Sequence, residues 1–191
     1  RQLVDRFGAP DLATARPAAE EEVAFVESLC THPIASLIAV LAPRSVVVVG
    51  AGRRPDSVGH VVLRNLVQVG YRGRLAAVNP HAAQVCGVDC LRSVDELTEP
   101  VDLAVLCVPA SAVPEVAEQC GRRGVRALLV ISSGLSGEPA LATGLLDAVL
   151  RHDMRMVGPN CLGIVNTDPA VRLDATFAEP ARIANTQAAA S

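Results

Sequence analysis

Ser45-Val-Val-Val-Val-Gly-Ala-Gly-Arg-Arg-Pro-Asp-Ser-Val-Gly59 decides how the rest of the chain is read. Four valines ending at Gly50 describe a short strand buried on both faces, since a strand half in water would alternate apolar and polar residues. Beyond the loop, Val58, Val61, Val62, Leu66 and Val69 recur at helical spacing and Gly70 stops them, which predicts a helix over 57–69. Between strand and helix lies Gly50-Ala51-Gly52. Glycines there let backbone N–H groups approach an anion, and the helix N-terminus adds partial positive charge. Working outward, strands are predicted over 75–78, 103–108, 126–131 and 154–157, with a sixth candidate over 163–166. Helical stretches fall between them: 93–97 behind the capping box Ser93-x-x-Glu96, 111–123 capped by Ser111 and stopped by Gly124, and 138–152. Strands joined by helix-length connections make βαβ units, hence an α/β fold with a doubly wound parallel sheet.

Right-handed crossovers bring the strand carboxyl ends to one edge, where such sheets bind ligands. The loops at that edge are Gly50-Ala51-Gly52, Val78-Asn79-Pro80, Val108-Pro109-Ala110, Ser132-Ser133-Gly134 and Gly158-Pro159-Asn160-Cys161. Ahead of the first strand, 18–31 carries an apolar stripe behind Glu20, Glu21 and Glu22, and 34–41 makes a second short helix. The organisation expected is a linker with N-terminal helices over 1–43, a ligand-binding domain over 44–167 and an irregular tail or linker over 168–191.

Composition narrows the function. The 191 residues are 50% apolar, ample for a core, with a net charge of −3 that offers no basic field to nucleic acid or an anionic membrane. Phe7, Phe25, Tyr71 and Phe177 are too few aromatics for a base-stacking platform. All 17 basic residues are Arg, so lysine Schiff bases and a Walker-type phosphate loop are excluded. The six cysteines sit in or beside apolar runs without the dense spacing of a secreted scaffold, and no signal peptide is present, which points to reduced thiols in the cytoplasm. The chain begins at Arg1 without Met and reads as a piece of something longer. His81, Cys86 and Cys90 lack the fourth ligand and tight knuckle of a zinc site, and no metal is expected.

The glycine loop first suggests NAD(P). Two features stand against it: Pro55 occupies the third small position of the dinucleotide fingerprint, and the second strand ends in Asn79-Pro80, without the acidic residue that holds an adenosine ribose. Arg53 or Arg54 could serve an NADP phosphate, so that reading stays open as an alternative.

Gly50-Ala-Gly-Arg-Arg-Pro-Asp-Ser-Val-Gly59 followed by Leu63-Arg-Asn-Leu66 resembles the opening of the CoA-binding domain of NDP-forming acyl-CoA synthetases, the domain that begins the succinyl-CoA synthetase alpha subunit. Val78-Asn-Pro80, Val101-Asp-Leu-Ala-Val-Leu-Cys-Val-Pro109, Val130-Ile-Ser-Ser-Gly134 and Val157-Gly-Pro-Asn-Cys-Leu-Gly163 follow in the family's order and spacing. The resemblance implies a Rossmann-like domain that binds CoA or an acyl-CoA such as acetyl-CoA. It assigns the CoA phosphates to Ser57, Val58 and Gly59 beside the Gly50-Ala51-Gly52 turn, and the adenosine to Asn79 and Pro80. Val108, Pro109 and Ala110 would pack on the nucleotide, and Ile131, Ser132, Ser133 and Gly134 would contact the pantetheine arm. Where the family often has Lys after Asn-Pro to meet a phosphate, this chain has His81, a poorer anion partner when neutral. Many relatives carry a bulkier or acidic residue at the position of Ser133.

Full synthetases of the family add a flavodoxin-like domain bearing a phosphorylated histidine and an ATP-grasp unit. Neither follows here within 191 residues, and none of His32, His60, His81 and His152 matches the phosphohistidine by position. The chain alone is therefore expected to bind, with no catalysis of its own. The residues ahead of the domain resemble the linker of fusions to a GNAT-type acetyltransferase, in which the synthetase-like part acts as an acyl-CoA sensor. That is the alternative function.

Overall fold

The computed structural model describes residues 34–135 and 137–178. The helix expected over 18–31 lies outside them. The elements are α1 (Ile34–Leu41), β1 (Ser45–Val49), α2 (Val58–Gln68), β2 (Arg74–Val78), β3 (Gln84–Val85), β4 (Val88–Leu91), β5 (Leu103–Leu106), α3 (Val113–Arg122), β6 (Ala127–Val130), α4 (Pro139–Arg151), β7 (Arg155–Val157), β8 (Gly163–Asn166) and β9 (Leu173–Thr176). Single 3-10 turns stand at Val94–Glu96 and Ala110–Ala112.

Seven strands form one sheet in the order β3-β4-β2-β1-β5-β6-β7, parallel throughout except for the antiparallel β3–β4 pair. β1 sits between β2 and β5, with Val47 level with Ala76 on one side and Ala104 on the other. The order of winding reverses there, so the carboxyl ends of β1 and β5 flank the crevice that this topology leaves open.

The valine run shows why it does not alternate. Val47 and Val49 face a core with Leu106, Leu128 and Val130, closed by Val113, Ala117 and Cys120 of α3 and Leu145, Ala148 and Val149 of α4. Val46 and Val48 face the opposite core with Val105 and Leu129, closed by Val62, Leu63 and Leu66 of α2. Both faces of the sheet are covered, so every position must be apolar.

The structure departs from the sequence reading in four places. The stretch after β2 contains a hairpin, β3–β4, turned through Cys86 (φ 51°) and Gly87 (φ 78°). Two successive positive φ values make a tight type I′ turn, and Cys-Gly lacks the Asn-Gly or Asp-Gly signature that announces one. Ser111 does not cap a helix: a 3-10 turn occupies Ala110–Ala112 and α3 starts after Ala112, with Pro114 in its first turn. The 93–97 stretch is a single 3-10 turn, in which Ser93 Oγ accepts from the Asp95 N–H and Glu96 accepts from the Arg92 N–H.

The fourth correction concerns the chain ends of the domain. β8 forms as expected but pairs with β9 in a separate antiparallel ribbon, so 168–177 is no irregular tail. Leu173 and Ala175 are fully buried against the α2 face. Asn65 of α2, 1% exposed, holds the ribbon by donating from Nδ2 to the carbonyls of Thr176 and Ala178, each at 2.9 Å. At the other end Ala39 and Val40 of α1 are buried in the same core, so the compact unit begins ahead of residue 44. No described helix is long and apolar enough to cross a membrane.

Candidate functional site

The carboxyl edge is built from loops that hold one another. Asn79 Nδ2 donates to the Ala51 carbonyl at 2.6 Å, tying the loop after β2 to the loop after β1. Ser132 Oγ donates to the Val108 carbonyl at 2.6 Å, joining the loops after β6 and β5, and the Asn160 N–H donates to the Ser132 carbonyl. The edge is thereby fixed from β2 to β7 before any ligand arrives.

A cavity of about 580 Å³ opens on it. Ten expected site residues line it: Gly50, Ser57, Val58, Gly59, Val108, Pro109, Ala110, Ile131, Ser132 and Ser133. Two glycines make this approach close. Gly50 has φ 90°, and a Cβ there would lie 2.5 Å from the Cys107 carbonyl oxygen. A Cβ on Gly59 would stand 2.2 Å from the Gly50 carbonyl oxygen, so the first turn of α2 rests directly on the turn after β1. Ser57 occupies the N-cap position, yet its hydroxyl donates backward to the Arg54 carbonyl at 2.8 Å. The opening amides of α2 therefore have no side-chain cap and face the cavity mouth with the positive end of the helix dipole.

Asn79 and Pro80 line a second hollow of about 360 Å³, which shares Gly50 and Val108 with the first. The remaining expected residues line neither. Ala51 is fully buried under the loop, and Gly52 presents its carbonyl to His60 Nδ1 at 2.9 Å. His81 is exposed, its N–H bonded to Asn79 Oδ1, and Gly134 is exposed just outside the wall.

Sequence reading missed several wall residues. Arg92 stands in the second hollow, at the carboxyl end of β4. Recognising β4 as a parallel strand would have placed Arg92 on the ligand edge. Phe177 and Leu162 form an apolar rim on the first cavity, and the Phe177 N–H reaches the Leu162 carbonyl. Phe177 arrives only because the β8–β9 ribbon folds back over α2. Cys107 and Cys161, at strand ends that sequence reading did place by the ligand edge, also line the wall. Burial, with a smaller contribution from Cys161, pushes the Cys107 thiol up to about 12, so it stays protonated and apolar near neutral pH. The described cysteines are all free thiols, and no described group of His, Cys, Asp and Glu could hold a metal.

A parallel sheet whose winding reverses at β1 and β5, with a glycine turn, an uncapped helix N-terminus and a largely apolar cavity at that point, defines an α/β domain of the Rossmann-like, nucleotide-binding class. The family model described as CoA binding domain matches residues 44–167, and the chain belongs to that family. A second model, for a family of unknown function, matches residues 1–47. Among curated proteins the chain is 37% identical over 139 residues to the ADP-forming acetate–CoA ligase of Methanocaldococcus jannaschii, covering 72% of this chain and 19% of that one. It is 38% identical over 150 residues to the alpha subunit of the ADP-forming acetate–CoA ligase I of Pyrococcus furiosus, covering 74% and 32%. A solved dinucleotide-forming acetyl-coenzyme A synthetase 1 of Ca. Korarchaeum cryptofilum, in complex with phosphate and ADP, superposes with a TM-score of 0.69 at 36% identity, covering 75% of this chain and 31% of that one. The chain is thus homologous to the alpha-subunit region of NDP-forming acyl-CoA synthetases and spans about a fifth to a third of the length of these relatives. The acetyltransferase partner expected from the N-terminal residues finds no support in them.

Proposed function

We propose that the chain binds CoA, or an acyl-CoA such as acetyl-CoA, along the two joined hollows, as the CoA-presenting part of a larger NDP-forming acyl-CoA synthetase-like protein. The observation that carries this reading is that the two hollows adjoin, sharing Gly50 and Val108 as wall residues, a layout suited to a long, thin ligand with phosphates near its middle. The pyrophosphate meets the free amides of Val58 and Gly59. The adenosine lies by Asn79 and Pro80, where the Arg92 guanidinium supplies the cation that His81 does not. The pantetheine arm runs past Pro109, Ala110 and the Ile131–Ser133 turn toward Cys161, Leu162 and Phe177. The ligase chemistry belongs to flavodoxin-like and ATP-grasp partners, and the free thiols support a reducing, cytoplasmic setting.

Calorimetric titration with CoA, acetyl-CoA, NAD and NADP in parallel tests the reading. CoA or acetyl-CoA binds and the dinucleotides do not. Val58 is 40% exposed, so Val58→Glu folds while placing a carboxylate at the phosphate position; it weakens CoA by about tenfold or more, roughly 1.4 kcal/mol. Binding of NAD(P) without CoA, or CoA affinity unchanged in Val58→Glu, overturns the assignment.

A further inference from the structure

Three side chains next to the site take no part in the reading above. His60 and Arg64 lie one turn apart on α2, and Cys86 is at the tip of the β3–β4 hairpin packed beside them. Cys86 Sγ lies 3.5 Å from His60 Nε2, and 3.9 Å from the His60 carbonyl. The opposite ring nitrogen, Nδ1, is 2.9 Å from the Gly52 carbonyl oxygen. A carbonyl only accepts, so in the neutral ring Nδ1 carries the proton and Nε2 is left as an acceptor aimed at the thiol. A backbone carbonyl thus orients an imidazole, and the imidazole faces a nucleophile, which is the arrangement that activates a protonated thiol. The guanidinium of Arg64 acts on Cys86 as well, and its Nε is buried with no hydrogen-bond partner.

We propose that Cys86 is a modification site for disulfides of anionic low-molecular-weight thiols, with His60 as its base and Arg64 as the cation that receives the anion. Burial pushes the resting thiol up while Arg64 pulls it down, so attack needs a base in place. Sγ attacks one sulfur of the disulfide and its proton passes to His60 Nε2. The S–S bond breaks, the leaving thiolate takes that proton back from His60 Nε2, and Cys86 ends as a mixed disulfide with one free thiol released. The incoming disulfide is the oxidant, and electrons and protons balance. The consequence reaches the ligand loop: the thiol group added at Cys86 takes up the space the imidazole faces and displaces His60 from the Gly52 carbonyl, so the 52–57 loop loosens.

Cys90 is the internal control, since it sits half-buried on the same hairpin and donates to the Val88 carbonyl, with no imidazole bonded to it among the described residues. The protein is treated with oxidised glutathione and, in a second arm, with CoA disulfide, and adducts are mapped on every cysteine by peptide mass spectrometry over time. Cys86 reacts at least about tenfold faster than Cys90, and His60→Gln removes most of that advantage, in line with the usual gain from a positioned base. The faster arm names the source of the thiol. Amide exchange over 52–57 rises in the Cys86 adduct, a readout independent of CoA binding. Equal rates at Cys86 and Cys90, or a rate within about twofold in a folded His60→Gln protein, overturns the proposal.

Discussion

Gly59 shows how much one residue constrains. Its missing Cβ would lie 2.2 Å from a backbone oxygen, and backbone cannot swing aside as a flexible side chain does. Gly59→Ala therefore displaces α2 from the turn after β1. The expected cost is about 1–3 kcal/mol, read as a lower midpoint in urea, together with weaker CoA binding if the α2 amides hold the phosphates as proposed, since they move with the helix. The sequence pointed to this glycine through its place in a motif. That it contacts Gly50, nine residues back in the chain, was not visible there. Gly52 and Ala51 show the reverse: motif position placed both in the site, whereas one is turned to His60 and the other buried. A motif records which residues a loop needs, and a loop needs its supports as much as its contact atoms.

Among the elements, the long apolar-periodic ones came through the sequence well. β1 matches its expected bounds, and β2, β5, β6, α2 and α4 differ from theirs by one or two residues at an end, as hydrogen-bonded ends do. What escaped notice was short or weakly patterned. β3 has two residues, and β9 has a buried Asp174 in its middle, its carboxylate satisfied by the Thr176 N–H and hydroxyl. β9 forms because α2 offers it a surface and Asn65 offers it two bonds, neither of which is local. Asn65→Leu removes both bonds to the Thr176 and Ala178 carbonyls and leaves the part-buried junction without its tie. It costs about 1–3 kcal/mol, and amide exchange over 173–178 rises well before exchange in β1 or β5. Elsewhere, α3 meets α4 through Glu118, which takes Arg151 at 2.7 Å and His152 at 3.0 Å. Gly121 clears the space for that ring, since a Cβ there would lie 2.2 Å from His152.

At the scale of the molecule, the site is a property of the sheet. Its wall takes residues from the loops after β1, β5, β6 and β7 and from the β9 end, distant in sequence and level only because the strands are parallel and in register. A ligand spanning those loops ties them together, so binding and global stability are linked. CoA at about 100 times its dissociation constant adds about 2.7 kcal/mol to unfolding stability, seen as a rise in melting temperature that Val58→Glu diminishes at the same concentration. The same linkage explains why five of the described edge loops are already bonded to their neighbours: the site is formed in advance, with little left to order on binding.

The sheet, its winding and its ligand edge were present in the amino-acid sequence because they rest on local patterns: buried valine runs, helical periods and turn glycines, each set within a few residues. The family followed from five such fragments in order, and residues 44–167 match it. The far wall of the cavity and the His60–Cys86 pair were not readable in this way. Phe177 reaches the cavity through a ribbon held by Asn65, more than a hundred residues earlier, and Cys86 meets His60 across a hairpin whose turn carries no strong signal. Contacts of that kind depend on where separate elements come to rest, and packing decides that only once the whole core is assembled.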